Sequence, residues 1–124
     1  MRTPVETVRA WHEAVNAGDV EGAVACCHPD VAVGGPRGTG HGHDLMRGWL
    51  SRSGIRLQPQ HDLTESEPGV LVVAELAHWT ADNVPFQAPT EPTPTWCIFR
   101  VEYGCLVSVE RFEERPADLG RPAG

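Results

Sequence analysis

Lysine is absent from this 124-residue chain: all ten basic side chains are arginine, set against seventeen acidic ones, for a formal charge of −7. Phosphate backbones are neutralised by clustered cations, so a nucleic-acid partner is not expected. Long apolar runs are missing too, and none approaches the roughly 20 residues of a membrane-spanning helix. Met1-Arg2-Thr3-Pro4 passes directly into an amphipathic pattern and not into the apolar core of a secretory leader, so the expected setting is the cytoplasm, with no membrane contact. Cysteine is sparse and badly spaced for a metal. Cys26 and Cys27 adjoin and Cys97 and Cys105 lie eight apart, whereas structural zinc uses pairs two to four residues apart. The four are expected as buried thiols that behave as small apolar residues. Missing lysine beside abundant Arg, Ala, Gly and Pro points to a bacterial genome rich in G and C.

Apolar residues make up 40% of the chain and charged ones 22%, enough to bury a core without a metal or disulfide framework. The length suits one domain, expected over residues 1–115 with a frayed tail at 116–124. Thr3-Pro4-Val5-Glu6 has capping-box spacing, and Val5, Val8, Trp11 and Val15 recur at helical steps, which predicts a first helix over residues 4–16. Asp19 is expected to cap a short second helix through residue 27, stopped at His28-Pro29-Asp30. Val31 and Val33 alternate into a strand. Five glycines within residues 34–42 then read as a loop, and Leu45, Met46, Trp49 and Leu50 mark a third helix ending near Ser53-Gly54. Beyond it the period becomes two. Ile55, Leu57, His61 and Leu63 share one face of an expected strand, residues 70–79 form an apolar central strand, and a Pro-rich crossover at residues 85–94 leads to strands at 95–103 and 105–113. The fold class is α+β: a curved, mostly antiparallel sheet wrapped around three helices.

The segments carrying residues 11–19, 28–33 and 42–50, in that order around the glycine-rich stretch, resemble the nuclear transport factor 2-like superfamily. This is the cone fold of ketosteroid isomerases, scytalone dehydratase, limonene epoxide hydrolase and SnoaL-like polyketide cyclases. The resemblance implies an apolar pocket in the open end of the cone and a homodimer packed through the outer sheet face. It also shows what this chain lacks. The isomerase oxyanion-hole tyrosine falls on Trp11, the catalytic aspartate on Gly35 and the protonated acid on Cys97, so a steroid-isomerase reaction is not expected. Against the epoxide-hydrolase set, Glu75 and Glu110 fall near the carboxylates but Val73 stands where the arginine would be.

Candidate chemistry rests on histidine. An approximate match to the isomerases places the face of Val72, Ala74, Leu76 and His78 inside the cone, and His61 lies on the face of Ile55, Leu57 and Leu63. Two imidazoles in one apolar cavity would serve as acid and base, with Glu110 as auxiliary if its face is the inner one. The plain alternative is that each ring is a hydrogen-bonded core or rim histidine. Trp11, Gly35, Leu76, Cys97 and Phe99 are the expected pocket lining, with Trp11 either a wall or a plug. Trp96, Ile98, Arg100 and Glu102 share the opposite face, read as the dimer surface. His41 and His43 are spaced like a metal pair with no third ligand nearby, and the glycine-rich stretch lacks a phosphate-loop lysine, so neither a metal nor a cofactor is expected. Three functions compete: a cofactor-independent lyase, isomerase or cyclase acting on an apolar carbonyl or polyketide-like small molecule, a non-catalytic binder of a small apolar molecule, and a structural dimer.

Overall fold

The structure, a computed structural model, describes residues 1–35, 38–79 and 92–113. Helices α1 (Pro4–Asn16) and α2 (Val20–Ala25) precede strands β1 (Cys27–Gly35) and β2 (Gly38–His41), and α3 (His43–Ser53) leads into β3 (Ile55–Pro59), β4 (Val70–Trp79), β5 (Thr93–Glu102) and β6 (Cys105–Phe112). The strands form one curved, unclosed sheet in the order β2-β1-β6-β5-β4-β3, antiparallel at every junction except the parallel β1–β6 pair. Three helices cover one face of it. Residues 80–91, most of the expected crossover, and 114–124, with the expected tail, lie outside the described residues.

Local chemistry starts each helix. Thr3 Oγ1 accepts from the Glu6 amide and the Glu6 carboxylate accepts from the Thr3 amide, the full capping box the sequence predicts. Asp19 caps α2 through the Gly22 amide, 2.9 Å away. The start of α3 has a different form. Gly42, at φ 109°, is the N-cap with no side-chain cap, and His43 sends Nε2 to the Cys27 carbonyl at 2.9 Å, which ties the helix to β1. Gly54, at φ 56°, ends α3 in the left-handed region where glycine costs least.

Two boundaries depart from the sequence reading. The helix expected to run through residue 27 ends at Ala25, and β1 begins at Cys27. The expected glycine loop contains β2, which pairs with β1 from Ala32↔His41 to Gly35↔Gly38. Glycine lowers strand propensity, but backbone pairing needs no side chain, and the hairpin register overrides the local preference.

The core lies between the helices and the inner sheet face. Val8, Trp11 and Val15 of α1, Ala23 and Val24 of α2, and Met46 and Leu50 of α3 pack on Val31, Ile55, Leu57, Leu71, Val73, Ala77, Cys97, Phe99, Leu106 and Val109. Cys26, Cys27 and Cys97 are buried and Cys105 half-buried, all as free thiols. The edge strand β3 is closed by Asn16, whose side-chain amide donates to the Leu57 carbonyl and accepts from the Leu57 amide, both at 2.8 Å. No described helix is long and apolar enough to cross a membrane.

Candidate functional site

A cleft of about 670 Å³ opens where β1, β2, α3 and the end of β6 meet. Each element supplies it at its own period. Val33 and Gly35 alternate along β1, and Leu45, Trp49 and Arg52 recur at helical steps on the side of α3 facing the hairpin. Arg111 and Glu113 follow Val109 with the parity of the inner face of β6. Gly35 leaves the space open, because a Cβ there would meet nothing within 4 Å. Gly40 has a packing role: its Cβ would fall 2.4 Å from Leu45 Cδ2, so glycine lets α3 close on β2.

Arg111 is held in place from two sides. Its Nη1 donates to Thr95 Oγ1 at 3.2 Å, and that hydroxyl spends its own hydrogen on the Phe112 carbonyl at 2.7 Å, so the oxygen is oriented to accept. The guanidinium also lies 5.7 Å from the Trp79 ring centroid. Thr95 stands opposite Glu75 in the β4–β5 register.

Behind the cleft an aromatic column leads inward. Trp49, in the cleft wall, stacks on Trp11 with centroids 6.4 Å apart, and Trp11 meets Phe99 edge-on at 5.4 Å and His12 at 5.2 Å. His12 then pairs with Glu75: Nε2 lies 2.5 Å from Oε1, with side chains 5% and 0% exposed. The other ring nitrogen fixes the hydrogen count. Nδ1 lies 2.8 Å from the Val8 carbonyl, which can only accept, so Nδ1 carries a hydrogen. One further proton must then lie between Nε2 and Oε1, held by either partner, and the pair is neutral overall in both cases. Glu75 Oε2 and Trp11 Nε1 are buried with no hydrogen-bond partner, an acceptor and a donor left over in this layer. Cys97 shares the inner face, where burial first and the adjacent Glu75 carboxylate second push its thiol well above the ordinary range.

The sequence-predicted residues divide among three places. Gly35 lines the cleft, while Trp11, Cys97 and Phe99 are fully buried in the core beneath it. His78 and Leu76 correct the expected face, and Glu110, whose face the sequence leaves open, takes the outer one. Leu71, Val73, Glu75 and Ala77 point inward, which turns Leu76 and His78 outward, where with Asn16, Arg56, Gln58 and Pro92 they line a separate cleft of about 380 Å³. Both faces of β4 are apolar, so alternation alone left its parity undetermined, and the pairing of Val73 with Cys97 decides it. Glu110 pairs with Ile98 and sits over Gly34 and Thr39 on the outer face, with Ser108 Oγ 3.4 Å from its Oε1. Trp96, Ile98 and Arg100 share that outer face, as expected from their alternation with Cys97 and Phe99.

His61 is also displaced from its expected role. β3 ends at Pro59, and the exposed ring of His61 bonds back to the sheet, with Nε2 accepting from the Ala74 amide at 3.0 Å and Nδ1 donating to the Asp62 carbonyl at 2.9 Å. It continues the β4 edge pairing past the proline and is not among the described residues that line the cleft of His78. The pair that sequence reasoning missed, His12 and Glu75, was signalled weakly. Val8, Trp11, His12 and Val15 fit the i, i+3, i+4, i+7 template of a buried helix face, and Glu75 is the one acidic residue in the apolar run of β4.

Comparisons with known proteins agree with this fold. The profile of the SnoaL-like domain family matches residues 8–109. The chain is similar to a solved NTF2-like protein of unknown function from Cytophaga hutchinsonii, with 14% identity, 90% of this chain and 89% of that one covered, and a TM-score of 0.74. A second NTF2-like protein of unknown function, from Burkholderia pseudomallei, is 27% identical over 90% of each chain with a TM-score of 0.70. SalBIII, an epoxide hydrolase/cyclase-like enzyme in pyran ring formation in the polyether salinomycin, is 19% identical over 88% of each chain, with a TM-score of 0.74. No curated protein matches the sequence.

Proposed function

The chain belongs to the SnoaL-like domain family, and from that membership we propose that it is a cofactor-independent lyase, isomerase or cyclase that moves a proton on an apolar, polyketide-like carbonyl compound. The observation that carries this reading is the buried one-proton pair His12–Glu75, with an unpaired Glu75 Oε2 and an unpaired Trp11 Nε1 beside it, at the inner end of the aromatic column whose outer end walls the cleft. With the bridging proton on His12, Glu75 is a carboxylate and Oε2 is free to take a proton from the carbon next to the carbonyl. The C–H electron pair moves onto the carbonyl oxygen as an enolate, for which Trp11 Nε1–H is a donor, and the proton returns to carbon in the product. The likeness to SalBIII, which acts in pyran ring formation in the polyether salinomycin, supports a ring-forming reaction on a small molecule as one form of this chemistry.

One observation favours a second reading. Glu75 is fully buried behind Trp11, as it would be in a protein that only binds its ligand in the outer cleft. Deuterium exchange separates the two. Purified protein incubated in D2O with α-tetralone, whose protons next to the carbonyl exchange slowly, is expected to speed deuterium uptake at least about tenfold over buffer, and Glu75→Gln to abolish the gain. Uptake at the buffer rate, with or without binding of the ketone, overturns the catalytic reading.

A further inference from the structure

The charge around the cleft is opposite in sign to that of the chain. The sequence has seventeen acidic against ten basic residues, yet among the described residues the charged ones lining the cleft are Arg52, Arg111 and one carboxylate, Glu113. Arg111 uses one N–H on Thr95 and one face on Trp79, and neither arginine has a carboxylate within ion-pair distance among the described residues. A half-buried guanidinium oriented by a hydroxyl, with donors left over and an aromatic wall alongside, is the arrangement that receives an anionic oxygen on a flat apolar body. Val33, Leu45 and Trp49 supply the apolar wall, and Gly35 leaves bare backbone where a side chain would intrude.

We infer that the cleft selects an acidic ligand, an aromatic or polyketide-like molecule ending in a carboxylate, which Arg111 grips and Arg52 attracts at the rim. The inference rests on the proposed ligand-handling role of the cleft and adds the charge of what enters it. It also gives Arg111 a function independent of proton transfer. Arg111 orients the acidic end, while the flat apolar body lies against Val33, Leu45 and Trp49.

Calorimetric binding of 2-naphthoate and of its neutral isostere 2-naphthamide tests this on the intact chain. The acid is expected to bind at least about tenfold more tightly than the amide, the ratio that one charge-assisted hydrogen-bond pair confers. Arg111→Met, which keeps length and removes charge, should bring the two within about threefold by weakening the acid far more than the amide, and raising NaCl from about 50 to 500 mM should narrow the wild-type gap. Gly35→Leu, which places its side chain in the open cleft, should block both compounds. Equal binding of acid and amide, both blocked by Gly35→Leu, overturns the acid selectivity and leaves the cleft reading standing. An acid preference that survives Arg111→Met also overturns the inference. Binding unaffected by Gly35→Leu, or no binding of either compound at millimolar concentration, overturns the cleft reading and the inference with it.

Discussion

Removing one partner of the buried pair and then both should give stabilities far from additive. In His12→Leu, Glu75 stays in the core with neither oxygen bonded, because Oε1 has lost Nε2 and Oε2 has no partner to begin with. Stranding one member of a buried ion pair costs about 3–5 kcal/mol. Glu75→Gln keeps the shape, and its amide can donate to Nε2 while Nδ1–H stays on the Val8 carbonyl 2.8 Å away, so the loss should stay below about 1 kcal/mol. Glu75→Leu leaves only an imidazole nitrogen unpaired, at about 1–3 kcal/mol. The double variant His12→Leu/Glu75→Leu removes both polar groups at similar volume and should come within about 2 kcal/mol of the wild type or exceed it. The coupling energy is then at least about 2 kcal/mol, above the roughly 0.5 kcal/mol scatter of independent sites. Urea unfolding followed by tryptophan fluorescence measures all four, since Trp11 lies edge-on to His12 with centroids 5.2 Å apart. At about 3–5 °C per kcal/mol for a chain of this size, His12→Leu should also lower Tm by about 10–20 °C. A Glu75→Gln loss equal to that of His12→Leu, or additive single losses in the double variant, refutes the one-proton pair.

Three further predictions test the frame around the site. Gly69 sits at φ +78° and a Cβ there would lie 2.8 Å from the Val101 carbonyl oxygen, so Gly69→Ala should cost about 2 kcal/mol or more in urea unfolding, and a loss below about 0.5 kcal/mol contradicts the close approach of the β4 entry to β5. Asn16→Ala removes both hydrogen bonds to Leu57, at about 1–3 kcal/mol, and should speed hydrogen exchange of the Leu57 amide specifically; unchanged protection there means the amide clamp is not what closes the β3 edge. Burial first, then the neighbouring Cys26 and Cys105, push the Cys27 thiol up to about 12 from an ordinary 9.0. The unfolded thiol therefore ionises first, so this contribution to stability is complete below pH 9.0 and declines by at most about 1.4 kcal/mol per pH unit as the pH rises toward 12. Cys27→Ala should flatten the fall in urea midpoint between pH 8 and 10.5, and an unchanged slope contradicts the burial effect.

The sequence by itself determined what is written in neighbouring residues. The Thr3–Glu6 capping box, the Val8–Trp11–Val15 stripe, the left-handed stop at Gly54 and the alternation of Trp96, Ile98 and Arg100 against Cys97 and Phe99 each depend on a few consecutive positions, and the α+β class follows from their order. Tertiary structure alone decided which face of β4 turns inward. That strand is apolar on both sides, so its parity is set by pairing with β5, and a shift of one residue exchanges Glu75 for His78. The same holds for β2, whose glycines carry no strand signal and are ordered by backbone pairing with β1. His12 and Glu75 stand sixty-three residues apart, and Arg111 reaches Thr95 across sixteen. No local pattern encodes such contacts, because they exist only once the helix has been laid across the finished sheet.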